Sequence, residues 1–169
     1  MIGNPAHVRM LSGLEIPLVG DYSLNLTNSF TAAALHNLGL KGATLSPELS
    51  TEEMKAIKGS GLSLEAIIYG RVPVMVTEHC PIGGKEPNAN ESSCQLCQMG
   101  KYDLQDRTGA EFPVLGDQES CRCTILDAKK QRRTFRGGRN GAGEITGFRI
   151  NCYDETVEEL RRIIEKRLR

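Results

Sequence analysis

The residues best suited to chemistry are six cysteines, five of which fall between Cys80 and Cys123. Their order is Cys80, then Cys94-x-x-Cys97, then Cys121-x-Cys123. A CxxC pair supplies two thiolates from one tight turn, and cysteines on other loops can complete a four-sulfur set. Four thiolates suit either Zn²⁺ or an iron–sulfur cluster, and spacing does not separate the two. Cys123 stands two residues from Cys121, so in a strand both side chains share a face and Cys123 could replace Cys121 as a ligand. His79, adjacent to Cys80, leaves a mixed His/Cys zinc site open. Unconnected buried thiols are the plainer alternative, disfavoured by the clustering in a Gly-, Asn- and Ser-containing loop. Cys152 lies apart and reads as a small buried residue at a strand end.

Lys129–Arg139 (KKQRRTFRGGR) is the second chemical feature, with Lys129, Lys130, Arg132, Arg133, Arg136 and Arg139 around Phe135. Phosphate contacts with aromatic stacking would suit RNA; a solvated loop is the equal alternative. Protease signatures are missing, since neither GxSxG nor HExxH occurs. A Cys–His79 dyad is conceivable, but adjacent residues rarely point at one another.

The 169 residues are enough for one domain with a real core, and a single partial domain is the expectation. Apolar residues at 39% and charged residues at 25% are ordinary for a globular chain. A net charge of zero selects no partner. No apolar run is long enough to span a membrane, and the first ten residues lack a secretory signal. A cytoplasmic location is therefore expected, where clustered cysteines hold metals more often than disulfides.

Alternation of elements gives the architecture. A short helix is expected over Ala6–Leu14. A buried strand opens at Ile16 and exits near Asp21. A helix over Asn28–Leu38 places Phe30, Ala33, Ala34 and Leu38 at helical spacing, with Asn28 as N-cap and Gly39 at its end. A strand at 43–46 follows. Ser50-Thr51-Glu52-Glu53 is a capping-box pattern opening a helix with Met54 and Ile57 on one face. A third strand covers 64–69. Past the cysteine segment, a strand over 146–152 leads to a final helix capped at Asp154 or Thr156, with Val157, Leu160, Ile164 and Leu168 as its buried stripe. This is an α/β chain with βα units and a parallel sheet.

The motifs GDYSLN with Asn28 after it, TLSPEL, YGRVPVMVTEHCPIG, CQLC, YDLQDRTGAEFPV before Cys121, and FRI near the end occur in this order. Together they resemble the C-terminal half of the catalytic domain of peptidase family U32, over nearly the whole chain. The resemblance implies the second half, strands five to eight, of a TIM barrel, with a long Cys-rich insertion before the last strand. Residues 1–71 would be βα units, 72–143 the insertion, and 144–169 the final strand and helix. The missing barrel half would come from a longer protein or a partner chain, or the chain would be a homo-oligomer. Despite the family name, better-understood relatives are oxygen-independent hydroxylation proteins with a four-cysteine 4Fe–4S cluster. Some modify tRNA or ribosomal RNA with prephenate as hydroxyl source, and others are described as collagenase-like proteases. The resemblance selects Cys80, Cys94, Cys97 and Cys121 as ligands and tips the metal toward iron–sulfur, with zinc as alternative.

Barrel function sits at the C-terminal strand ends. In that frame these ends are Asp21, Ser46 to Glu48, Tyr69 to Arg71, and Arg149 to Asn151. Asp21, Asn25 and Asn28 could bind a polar substrate, although both asparagines could equally cap local structure. Glu48 could act as acid or base, or simply follow Pro47 in a turn. Arg71 could clamp a carboxylate, or pair with Glu78 or Glu48. Glu78–His79 could form an acid/base pair, while a His beside a metal cysteine more often packs around the site. A non-catalytic half-barrel or zinc-stabilised module is the alternative to an enzyme.

Overall fold

The structure is a computed structural model that describes residues 1–58, 61–83, 95–135 and 143–167. It is mixed α/β and divides into two compact units, Met1–Gly70 with Arg132–Arg169, and Arg71–Gln131.

Parallel strands organise the first unit. β1 (Val19–Gly20), β2 (Gly42–Thr44), β3 (Ser63–Gly70) and β9 (Ile145–Ile150) lie side by side in that order, and every pair is parallel. Ile2 extends the sheet beyond β1: its N–H donates to Val19 O at 2.7 Å and its carbonyl accepts from Asp21 N at 2.8 Å. The two-residue β8 (Gln131–Arg132), where the chain re-enters this unit, also joins β3. Four helices belong here: α1 (Pro5–Leu11), α2 (Ser29–Asn37), α3 (Thr51–Ala56) and α5 (Val157–Arg167). The core between sheet and helices contains Leu26, Leu35, Leu40, Leu45, Met54, Leu64, Ala66 and Ile68. Fully burying a Leu- or Met-sized side chain contributes about 1.5–3 kcal/mol.

Local signals set the helix boundaries. The Asn4 side chain accepts from Ala6 N at 2.9 Å and starts α1 with Pro5 in its first turn. The Asn28 side chain accepts from Thr31 N at 2.9 Å. Ser50 and Glu53 make both bonds of a capping box, at 2.8 and 3.2 Å. Thr156 and Glu159 make the same pair at the start of α5, also at 2.8 and 3.2 Å.

Several expectations need correction. The first strand is only Val19–Gly20, and Ile16 is 55% exposed. Pro17 lacks the N–H a strand needs to extend backward. On α2 the buried residues are Ala32 and Leu35, whereas Phe30 is 89% exposed and Leu38 54%. Several apolar residues at neighbouring positions allow more than one face, and the phase set at Asn28 selects the one that reaches the sheet. The apolar stripe expected on α5 is buried only in part: Leu160 is half-buried, whereas Val157 is 69% exposed and Ile164 39%. Leu168 lies outside the described residues. Phe135, expected within a basic surface run, is buried and stacks on Phe148 with ring centroids 5.5 Å apart.

The second unit is antiparallel. β4 (Pro73–Thr77), β5 (Tyr102–Gln105), β6 (Glu111–Gly116) and β7 (Cys123–Leu126) form a sheet in the order β4-β7-β6-β5, and the short α4 (Leu96–Met99) precedes β5. Asp106 turns β5 into β6, its Oδ1 accepting from Thr108 N at 2.7 Å and Ala110 N at 3.0 Å. A small apolar cluster of Val114, Cys123 and Ile125 holds this sheet, with Cys80, Ile82, Tyr102 and Phe112 packed against it.

Candidate functional site

Cysteine side chains from four segments of the second unit meet at one small cleft. Cys80 follows β4 through a turn in which His79 N donates to Thr77 Oγ1 at 3.1 Å. Its sulfur accepts from Gly83 N at 3.3 Å. Cys97 sits on α4, which Tyr102 anchors by donating its hydroxyl to Leu96 O at 2.8 Å. Cys121 belongs to the loop between β6 and β7. Asp117 closes that loop: its N–H donates to Arg122 O at 2.8 Å, and its carboxylate accepts from Glu119 N at 3.0 Å and Ser120 Oγ at 2.7 Å. Cys121 itself has φ +50, a left-handed conformation uncommon outside glycine. Cys123 opens β7 fully buried, between Thr77 and Gly116 of the neighbouring strands. The expectation that Cys121 and Cys123 share a strand face is thus corrected, because the strand begins only at Cys123. Both nevertheless line the cleft.

That cleft, about 20 Å³, is bordered by Cys80, Cys97, Cys121 and Cys123 together with Ile82, Gly116, Asp117 and Gln118. Gly116 makes room for Cys97. A Cβ placed on it would lie 2.7 Å from the Cys97 Cβ, closer than carbon atoms pack. The Cys123 thiol donates to the Cys80 sulfur at 3.6 Å. Burial pushes the Cys123 thiol up to about 12, helped by its hydrogen bond to Cys80 and by negative charge at Cys80, Cys97 and Cys121. Burial also opposes ionisation of Cys80, but donation from Gly83 N–H, the Cys123 thiol and Ile82 N–H outweighs it and holds Cys80 below the ordinary thiol range. The Cys80 thiol is therefore the more readily ionised of the pair, and Cys123 the less.

Of the expected ligands, Cys80, Cys97 and Cys121 come together here, and Cys94 lies outside the described residues. Among the described residues no three His, Cys, Asp or Glu groups converge closely enough to grip a single ion. His79 is exposed and does not border the cleft. The Glu78 carboxylate is taken by Arg122, at 2.6 Å from Nη2 and 2.9 Å from Nε.

A second polar cluster crosses one face of the parallel sheet. Arg149 on β9 donates to Asp21 Oδ1 and Glu65 Oε1, both at 2.7 Å, and to Thr44 Oγ1 at 2.8 Å. Thr44 in turn donates to Glu65 Oε1 at 2.9 Å. Asp21 was read from the sequence, and Arg149 among the strand ends. Glu65 and Thr44 were missed, although an ionisable residue inside the strand LEAIIY was the available signal. Glu48 is exposed in the turn after β2, its N–H donating to Ser46 Oγ at 3.4 Å. Arg71 pairs with neither Glu78 nor Glu48 among the described contacts. Its Nη1 donates to the carbonyls of Asp127 and Ala128, at 2.7 and 2.5 Å. Asn25 holds a left-handed turn at φ +52, and Asn28 caps α2. Of the basic run, Arg133 turns its guanidinium onto the carbonyls of Pro47 and Leu49. Arg136 and Arg139 lie outside the described residues.

Among known families, the one described as peptidase family U32 matches residues 1–166. No curated protein and no solved structure matches the chain.

Proposed function

The chain belongs to peptidase family U32, and from that premise we propose an iron–sulfur protein that supports oxygen-independent hydroxylation of tRNA or ribosomal RNA. The observation that carries this reading is the cleft where Cys80, Cys97 and Cys121 meet beside the Gly116 notch. The donor chemistry suits the group, since soft thiolates are the ligands of a 4Fe–4S cluster, and Cys94, outside the described residues, would be the fourth ligand. A bound cluster supplies one-electron chemistry. The chain's own residues do the rest. Gly83 N–H and the Cys123 thiol stabilise the charge on the Cys80 sulfur. Four strands in parallel order β1-β2-β3-β9 support reading the first unit as strands five to eight of a TIM barrel. In that reading Asp21 and Arg149 sit at strand ends, where a carboxylate-bearing hydroxyl donor such as prephenate would bind, and Glu48 is a further substrate contact.

The test is composition. Anaerobically purified protein is expected to be brown, with iron and acid-labile sulfide in equal amounts. Cys80→Ala and Cys97→Ala should lose both, whereas Cys152→Ala keeps them. Colourless protein carrying stoichiometric zinc would defeat the reading and favour a zinc-stabilised module.

The family's name supplies a peptidase reading, and one observation favours it: a Cys80 thiol held below its ordinary value. Cleavage of denatured collagen that is lost in Cys80→Ala and in His79→Ala, yet persists in Cys97→Ala, would support that reading over a cluster.

A further inference from the structure

We propose that the first unit carries a phosphate-binding cleft between the end of β3, β8 and α5, separate from the cysteine site. The cleft has a volume of about 570 Å³ and is bordered by Tyr69, Arg132, Thr134, Glu159, Arg162 and Lys166, among others. Clefts of roughly 300–1,000 Å³ accommodate small ligands or one nucleotide. Three of its side chains are cations and one is an anion. The anion is already committed, because Glu159 Oε2 accepts from Thr156 N at 2.8 Å at the start of α5. A second carboxylate nearby, Glu155, accepts the Tyr69 hydroxyl at 3.1 Å and Tyr153 N at 2.7 Å. Among the described residues, no ion pair engages Arg132, Arg162 or Lys166.

Arg162 and Lys166 are four residues apart on α5 and so share a face. Like charges at that spacing destabilise a helix by about 0.2–0.5 kcal/mol unless an anion lies between them. Arg132 approaches from β8, its guanidinium 5.9 Å from the centroid of the Tyr69 ring. The three cations thus face one hollow from two elements. Guanidinium groups match the paired oxygens of a phosphate, and the lysine adds a point charge. Tyr69 is only 4% exposed and Arg132 lies over its ring, so no aromatic face is open for stacking a base. The recognition is therefore of phosphate, without base selectivity. RNA backbone and free nucleotide both present this group. The proposal is independent of whether the cysteines hold a cluster.

Fluorescence polarisation of a labelled single-stranded oligouridylate, titrated at several salt concentrations with the full chain, tests it. Each cation contacting a single strand contributes about 0.7 to the slope of log K against log salt. Arg162→Gln with Lys166→Gln should lower that slope by about 1.4, and Arg132→Gln alone by about 0.7. Arg161→Gln, on the same helix but not bordering the cleft, should leave it unchanged. Competition by uridine 5′-monophosphate that is lost in the same variants would identify free nucleotide as a source; RNA binding without such competition identifies the polymer. Circular dichroism confirms that each variant is folded. Equal affinity and slope in wild type and all cleft variants, or failure to bind either ligand, overturns the proposal.

Discussion

Two neighbouring thiols in the cysteine cleft are shifted in opposite directions, Cys80 down and Cys123 up, and this has a measurable consequence. In metal-free, reduced protein, alkylation should reach Cys80 at lower pH than Cys123, as read by mass spectrometry of the labelled peptides. Equal labelling of both would refute the assignment. The linkage signs differ for the two groups. Cys80 is lowered on folding, so its contribution to stability is present above the unfolded thiol value and fades as pH falls through the folded one. Cys123 is raised, so its contribution is full below the ordinary value of 9.0 and is lost as pH rises toward about 12. Urea midpoints of the metal-free protein should therefore drop over that alkaline window, and Cys123→Ala should flatten the drop. Gly116 is a residue whose role is purely steric. Gly116→Ala places a methyl 2.7 Å from the Cys97 Cβ, so α4 must move. Overpacking of this kind costs about 1–3 kcal/mol. Iron content after anaerobic reconstitution should fall, with little change in the first unit's helical signal.

At the scale of elements, Arg149 links three strands. It holds Asp21 after β1, Glu65 on β3 and, through Thr44, the end of β2. Its side chain is 18% exposed, so the two carboxylates it satisfies are partly screened by water. Arg149→Met should cost about 2–3 kcal/mol, below the roughly 3–5 kcal/mol of a fully buried pair. Adding Glu65→Gln should restore part of that loss in urea unfolding; strictly additive losses would show that the residues are not coupled. Much of this scaffold was legible in the sequence. Strands expected at 43–46, 64–69 and 146–152 coincide closely with β2, β3 and β9, because short apolar runs between capped helices leave little choice. The caps at Asn28, Ser50 and Thr156 were equally plain, since they depend on residues three apart. The Arg149 network was not, because Thr44 and Arg149 are 105 positions apart and only the sheet register joins them. The face of α2 was misjudged for a related reason: apolar residues ran around the helix, and the sheet chose among them.

At the scale of the whole molecule, the two units differ in what stabilises them. Among the described residues the first has a continuous core running from Ile2 through Leu64 to Ile145. Among its described residues the second rests on the smaller cluster of Val114, Cys123 and Ile125, with Cys80, Ile82, Tyr102 and Phe112 packed against it. Its apolar residues at Val74, Met75 and Val76 are spent on exposed positions, between 54% and 60% accessible. Sequence patterning gave the cysteine order but not this imbalance, since only packing shows which apolar residues are buried. A cluster or metal bound by the cysteines would then act as the missing core, and binding energy would appear as folding energy. Removing it with a chelator under reducing conditions should separate urea unfolding into two transitions. The antiparallel unit melts first, seen as fast amide exchange across β5, β6 and β7. The parallel unit keeps protected amides in β2 and β3 up to a midpoint that chelation does not move. Loaded protein should delay the first transition alone. If chelation instead leaves the exchange of β5, β6 and β7 and both midpoints where they were, the second unit does not depend on the cysteine site for its fold, and the cleft is stabilised by protein packing rather than by what it binds.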